Sequence, residues 1–212
     1  MTYPLSYIAG LFGKPVIYPD DLDDMKADMK ELHMQFAKQY ADNFLRKKLT
    51  KGLIFFGNVG IGKTFATACI ANQLMDNGRT VLVMNLGLYI NKLKAGGWEE
   101  AEQDILKQVE QCDLVIIDDF GAEKGLDNDK STWRAEKIYN LVDTRYRAEK
   151  PLIISTNLKF DKDVKKCELE ENFKYQGVGR IRDRIADMCY PVRVVGENKR
   201  GMSEKEFLEC IA

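Results

Sequence analysis

The chain is poor in several of the residues that most often carry chemistry. It has one histidine, His33, which argues against histidine-based catalysis. On an otherwise amphipathic helix His33 is expected at the surface or half-buried. Five cysteines (Cys69, Cys112, Cys167, Cys189, Cys210) stand singly with no C-x-x-C pair. That spacing opposes a zinc site or a disulfide frame and fits free thiols in a reducing cytoplasm. No apolar stretch approaches the ~18 residues of a membrane-spanning helix. The opening MTYPLSYIAGLFGKP lacks a basic stretch ahead of its apolar residues and is interrupted by Pro4 and Pro15, unlike a secretory signal. Neither charge dominates: 32 Lys and Arg face 33 Asp and Glu, a net charge of −1. No global basic field therefore draws nucleic acid, and any such contact must come from a local patch. Internal repeats and low-complexity segments are also missing.

What is present points to one α/β domain, or one domain with a small appendage. The chain has 212 residues, 45% of them hydrophobic, enough for a substantial core. At 57–64 it reads GNVGIGKT, the Walker A pattern G-x-x-x-x-G-K-[ST]. An apolar run, Leu53-Ile54-Phe55-Phe56, precedes it, and a helix-like run begins at Phe65. Strand, glycine-rich turn and helix N-terminus are the context this pattern needs. Gly57, Gly60 and Gly62 let the backbone of Gly57, Asn58, Val59, Gly60, Ile61 and Gly62 wrap a phosphate with inward N–H groups. Lys63 then reaches the β- and γ-phosphates, and Thr64 offers a hydroxyl to Mg²⁺.

Along the chain, residues 1–20 read as irregular and 21–48 as one helix, capped by Asp20 or Asp21. Leu22, Met25, Met29, Leu32, Phe36 and Tyr40 recur there at helical spacing, a pattern that fits core packing. Strand-like runs fall near 52–57, 80–85, 113–118, 151–156 and 191–195, with helices between them. Near-continuous apolar strands alternating with helices predict a parallel sheet covered on both faces. The stretch 86–111 is longer than one crossover needs, and Gly96-Gly97 splits it into helices near 87–95 and 98–110.

Two further motifs end strands. LVIIDDFG at 114–121 closes on paired acids, the Walker B arrangement: Asp118 for Mg²⁺ and Asp119 to orient and deprotonate water. PLIISTN at 151–157 places Asn157 where it can reach the γ-phosphate or the lytic water, since functional groups gather at the carboxyl ends of parallel strands. In GRIRDRIADMC at 179–189, Arg180 and Arg184 share one helix face. That face reads either as solvated and paired with acids such as Asp183 and Asp187, or as carrying an arginine finger in Arg184.

Together GNVGIGKT, LVIIDDFGAE, the NLVDTRY helix, PLIISTNL and RIRDRI resemble the AAA+ ATPases of the DnaC/DnaI helicase-loader family, which also takes in IstB-type transposition helpers. The match runs from about 50 to about 195 and looks most like the phage-type loaders of Gram-positive bacteria. The resemblance implies that Arg184 is an arginine finger and Arg180 a second arginine at a subunit interface. The two helices of 86–111 correspond to an insertion lining a single-stranded DNA path, with Tyr89, Lys92 and Lys94 as candidates. Ser131 and Trp133 match positions where loaders contact DNA. Trp133 can stack on a base or pack beneath the loop, and both readings stay open. Arg145, in DTRY, fits the family pattern without an assigned role.

The expected fold is a five-stranded parallel ASCE sheet in the order 5-1-4-3-2, with helices on both faces and the helical lid absent or vestigial. Residues 1–50 are expected to form a linker and helix, 51–196 the ATPase core and 197–212 a tail. The implied function is a cytoplasmic ATP-dependent loader that binds ATP or ADP with Mg²⁺, self-associates through the ATP site, assembles on a DnaB-type hexameric replicative helicase, and places it on single-stranded DNA. A transposase helper and a nucleotide-gated adaptor with little turnover are the alternatives.

Overall fold

A computed structural model of the chain describes residues 32–47, 49–94, 98–121, 132–160, 167–168, 179–196, 198 and 201. Helix α1 (Leu32–Arg46) is followed by β1 (Gly52–Phe56), α2 (Lys63–Asp76), β2 (Val81–Asn85), α3 (Leu86–Lys94) and α4 (Trp98–Gln111). Then come β3 (Leu114–Asp118), α5 (Thr132–Arg147), β4 (Leu152–Thr156), α6 (Gly179–Met188) and β5 (Cys189–Arg193). All pairings are parallel, and the order β2-β3-β4-β1-β5 is the predicted 5-1-4-3-2 read from the other edge. The early part of the expected 21–48 helix, with Leu22, Met25 and Met29, lies outside the described residues.

The strands are apolar at nearly every position because both faces are covered. Leu53, Phe55, Val81, Val83, Leu114, Ile116 and Ile153 point to one side, where α1 and α2 lie over them. Ile54, Leu82, Met84, Val115, Ile117, Leu152 and Ile154 point to the other, beneath α3 to α6. Alternating side chains thus feed two separate cores. Among the described residues no helix is long and apolar enough to cross a membrane.

β5 begins two residues earlier than predicted. Cys189 pairs with Gly52 and Arg193 with Phe56, so Tyr190-Pro191, which reads as a strand breaker, lies inside the strand. An edge strand tolerates this, because its outer side has no ladder to supply with N–H groups. Beyond it the ladder continues for one more bond, from Val194 N–H to Phe56 O at 2.9 Å.

Arg145 is fully buried and holds the foot of the sheet together. Its guanidinium donates to the carbonyls of Val109 (2.8 Å), Cys112 (2.9 Å), Asp113 (2.7 Å) and Pro151 (2.9 and 3.0 Å). A cation there satisfies carbonyls that the end of α4 leaves without intrahelical partners. The α3–α4 insertion is pinned to α5 by Lys137 and Glu102, which meet at 2.7 Å with both side chains more than nine-tenths buried.

Candidate functional site

The site lies at the carboxyl ends of β1, β3 and β4, the three central strands. Gly57 leaves β1 with its N–H bonded to Thr156 O at 3.3 Å, which ties the start of the loop to β4. Gly62 has φ +98, a left-handed conformation that side chains rarely adopt, and it starts α2 without any side-chain cap. The first N–H groups of a 14-residue helix are thereby left facing the loop, the arrangement that suits an anion. Lys63 is buried, with its ammonium at the centre of the turn. It donates to Gly57 O (2.9 Å), Asn58 O (2.5 Å) and the amide oxygen of Asn157 (2.8 Å). Val59 stands out at the loop tip, whereas Ile61 turns inward and anchors the loop in the α1–α2 core.

Asp118 is 3% exposed at the end of β3. Thr64 Oγ1 donates to its two carboxylate oxygens at 3.1 and 3.2 Å, and Ser155 Oγ donates to Oδ1. Burial pushes the Asp118 carboxyl above its ordinary range, opposed by the Ser155 and Thr64 hydrogen bonds and by Lys63, with Asp119 adding to the rise. A desolvated carboxylate beside a hydroxyl is a hard-oxygen donor set, which suits Mg²⁺. Asp119 follows at φ +54 and half-buried, an unusual backbone for a residue other than glycine. So Lys63, Thr64, Asp118 and Asn157, drawn from three separate motifs, gather at neighbouring strand ends, with Asp119 next in the chain.

Other expected site residues lie elsewhere. Arg184 is on α6, packed against α5: it pairs with Asp143 at 2.5 Å and lies over the rings of Tyr139 and Tyr146, at 4.6 and 5.5 Å. Its acid partner is therefore Asp143 rather than Asp183 or Asp187; Asp183 pairs with Arg182 at 3.0 Å. Arg180 is in the first turn of α6, and its side chain lies outside the description. Lys92 and Lys94 are exposed at the end of α3. Trp133 is half-buried against the α3–α6 core, with the Lys137 ammonium 5.9 Å from its ring. Ser131 lies outside the described residues.

Two expectations are corrected. Tyr89, proposed to line a DNA path, is 5% exposed and packs into the core between the insertion and the sheet. It occupies the inward face of α3 with Leu86, Ile90 and Leu93, which leaves no ring surface for a base. His33, expected at or near the surface, is 3% exposed, with Nε2 3.2 Å from where a Cβ on Gly62 would stand. The helix that carries it packs directly on the P-loop helix.

Three residues that contact the site or its expected members carry no sequence signal of their own. Ser155 is completely buried between the Walker B acids. Asp143 sits two residues before Arg145 in a helix whose charges read as solvated. Asn198 packs on Gly60, its Oδ1 only 1.8 Å from where a Cβ would lie, so the segment after β5 touches the loop.

Comparison with known proteins agrees with this geometry. The model of the IstB-like ATP binding protein family matches residues 26–206. The replicative helicase loader DnaI of Bacillus subtilis (strain 168) is 29% identical over 159 residues, which cover 71% of this chain and 48% of that protein. The replicative helicase loader DnaC of Escherichia coli (strain K12) is 26% identical over 151 residues, 70% of this chain and 55% of its own length. The chain thus spans about half the length of the curated relatives it matches. A crystal structure of DnaI superposes with a TM-score of 0.62 at 25% identity, covering 79% of this chain and 85% of that one. The replication initiator DnaA, bound to AMPPCP and single-stranded DNA, shares the fold with a TM-score of 0.59 at 17% identity, over 79% of this chain and 47% of its own. The fold is that of the AAA+ proteins, and the chain belongs to the IstB-like ATP-binding protein family.

Proposed function

We propose that this chain is an ATP-hydrolysing loader of a replicative DNA helicase. The observation that carries the nucleotide reading is that the ends of three strands bring together two hydrogen-bonded pairs, Lys63 with Asn157 and Thr64 with Asp118. The loader reading draws its support from the relatives DnaI and DnaC, both named replicative helicase loaders.

In this account the loop from Gly57 to Gly62 and the N-terminus of α2 take the β-phosphate on backbone N–H groups. Asn157 releases Lys63 when a γ-phosphate oxygen replaces its amide oxygen, so Asn157 reports whether that phosphate is present. Thr64 and Asp118 would hold Mg²⁺, which supplies charge neutralisation across the phosphates. Asp119 orients the attacking water and accepts its proton. Arg184 acts in trans: on self-association it turns from Asp143 towards the phosphates bound by a neighbouring protomer, and Arg180 serves as a second arginine of that interface. An arginine in this role is worth about 10³–10⁵ in rate, so a lone protomer turns over slowly.

Lys92, Lys94, Ser131 and Trp133 are the proposed contacts to single-stranded DNA. The partner is a DnaB-type hexameric helicase, and the setting is the cytoplasm.

Arg184→Ala tests the scheme. ATP affinity stays within about threefold of wild type, while turnover stimulated by DNA and helicase falls by at least 10³-fold. Equal loss of binding and turnover would reject the trans role. An absence of multiple-turnover hydrolysis by the wild-type chain under any condition would instead favour a nucleotide-gated adaptor.

A further inference from the structure

We propose that Ser155 is a positioning residue that clamps both Walker B acids through one hydroxyl, fixing Asp118 for the cation and Asp119 for water. The inference rests on the Mg²⁺-nucleotide reading of the same cleft.

The paired register of β3 and β4 ends at Ile117 and Ile154. Past that point β2 still pairs with β3 as far as Asp118, opposite Asn85, but the β3–β4 ladder no longer holds it on the other side. Three bonds from the end of β4 take over. Asp119 N–H donates to Ser155 Oγ at 3.1 Å, and Phe120 N–H donates to Ser155 O at 2.8 Å. Thr156 Oγ1 donates to Phe120 O at 2.6 Å. The Asp-Asp-Phe turn is thus strapped to the strand that carries Asn157.

The polarity of the Ser155 hydroxyl is fixed. It has one proton, and the Asp119 N–H can only donate, so the lone pair accepts that bond and the proton goes to Asp118 Oδ1. Ser155 and Thr156 have no solvent exposure, and a buried hydroxyl without partners would be strongly unfavourable. Here one hydroxyl has both kinds of partner, and they are consecutive acids with separate tasks.

Asp119 needs such a restraint. Its φ of +54 is disfavoured for a residue with a Cβ, and conformations of this kind persist only where the surroundings hold them. The bond from its N–H to Ser155 Oγ holds its backbone to the end of β4, and with it the direction of its carboxylate. Lys63 donates to the Gly57 and Asn58 carbonyls and to Asn157, and removing the Ser155 hydroxyl leaves those bonds of the phosphate cradle in place.

Calorimetric titration of ADP into the full chain, with excess Mg²⁺ and separately with EDTA, tests this without relying on turnover. In wild type, Mg²⁺ tightens ADP binding. In Ser155→Ala the EDTA affinity stays within about twofold, while the gain from Mg²⁺ shrinks about tenfold, the scale of one lost hydrogen bond to a charged group. Ser155→Thr, which keeps the hydroxyl and suits a strand, recovers the gain. Partner-stimulated kcat falls about tenfold in the alanine variant with KM for ATP little changed. Should Ser155→Ala fail to fold, Ser155→Cys, near in size with a weak donor, is expected to show the same selective loss in smaller measure.

An unchanged Mg²⁺ gain in the alanine or cysteine variant would overturn the Ser155 role and leave the nucleotide site standing. Equal loss in EDTA and in Mg²⁺ would mark a merely structural serine and also overturn it. Wild-type chain that binds no ADP, or gains nothing from Mg²⁺, would reject the underlying reading instead.

Discussion

Arg145 illustrates how far a residue's role depends on its surroundings. In the sequence it belongs to a family pattern without a task, and in the fold its guanidinium donates to four backbone carbonyls from three segments. No other side chain present has five donors in one plane, so no substitution can replace it. Arg145→Met leaves those carbonyls buried and unpaired and should lower the unfolding free energy by about 3–5 kcal/mol in urea titration. ADP affinity of the folded protein should be unchanged, because Arg145 is remote from the Walker loop. The buried thiols and phenols make a second prediction. Burial pushes Cys112 and Cys189 up from an ordinary 9.0, and Tyr40 and Tyr89 up from 10.0. The folded chain then keeps protons that the unfolded chain gives up, so this contribution is whole below pH ~9 and is lost as pH rises further. The urea midpoint should hold from pH 7.5 to 8.5 and drop steeply by pH 10.5; a flat profile would show that these groups are not buried together in the native state.

At the level of elements, strands and helices were mostly legible, and the contacts between helices were not. The Gly96-Gly97 pair predicts two helices in the insertion, and Leu86–Lys94 and Trp98–Gln111 lie within a residue or so of the expected bounds. Neither the resemblance, which puts Tyr89 on a DNA path, nor the amphipathic pattern, which puts His33 at the surface or half-buried, reveals the neighbours that bury both. Glu102 and Lys137 likewise look like ordinary surface charges, and only the packing of α4 on α5 brings them together in the interior. Breaking such a pair from one side strands a buried charge. Glu102→Leu alone should therefore destabilise by about 3–5 kcal/mol, while Glu102→Leu with Lys137→Met should return to within ~1 kcal/mol of wild type. A double-mutant cycle by chemical denaturation measures this, and additive losses would mean the two charges are not coupled. Arg184 belongs to the same class: its contacts with Tyr139, Asp143 and Tyr146 on one face of α5 depend on how α6 crosses that helix.

For the molecule as a whole, sheet order and nucleotide cleft were readable because three motifs sit at strand ends whose sequence order suits one topology. Walker A, Walker B and Asn157 each need the carboxyl end of a parallel strand, and β1, β3 and β4 lie side by side in the sheet. Ser155 escaped notice for the opposite reason: its work lies between strands, in a bond to a residue 36 positions away. The segment after β5 was expected only to trail off, yet Asn198 rests on Gly60 of the loop. The most direct test is native mass spectrometry of this chain mixed with a DnaB-type hexameric helicase, comparing ATP with Mg²⁺ against ADP. The account predicts a defined complex in ATP whose stoichiometry falls or which dissociates in ADP. A mixture that shows no complex, or one indifferent to nucleotide, would contradict it.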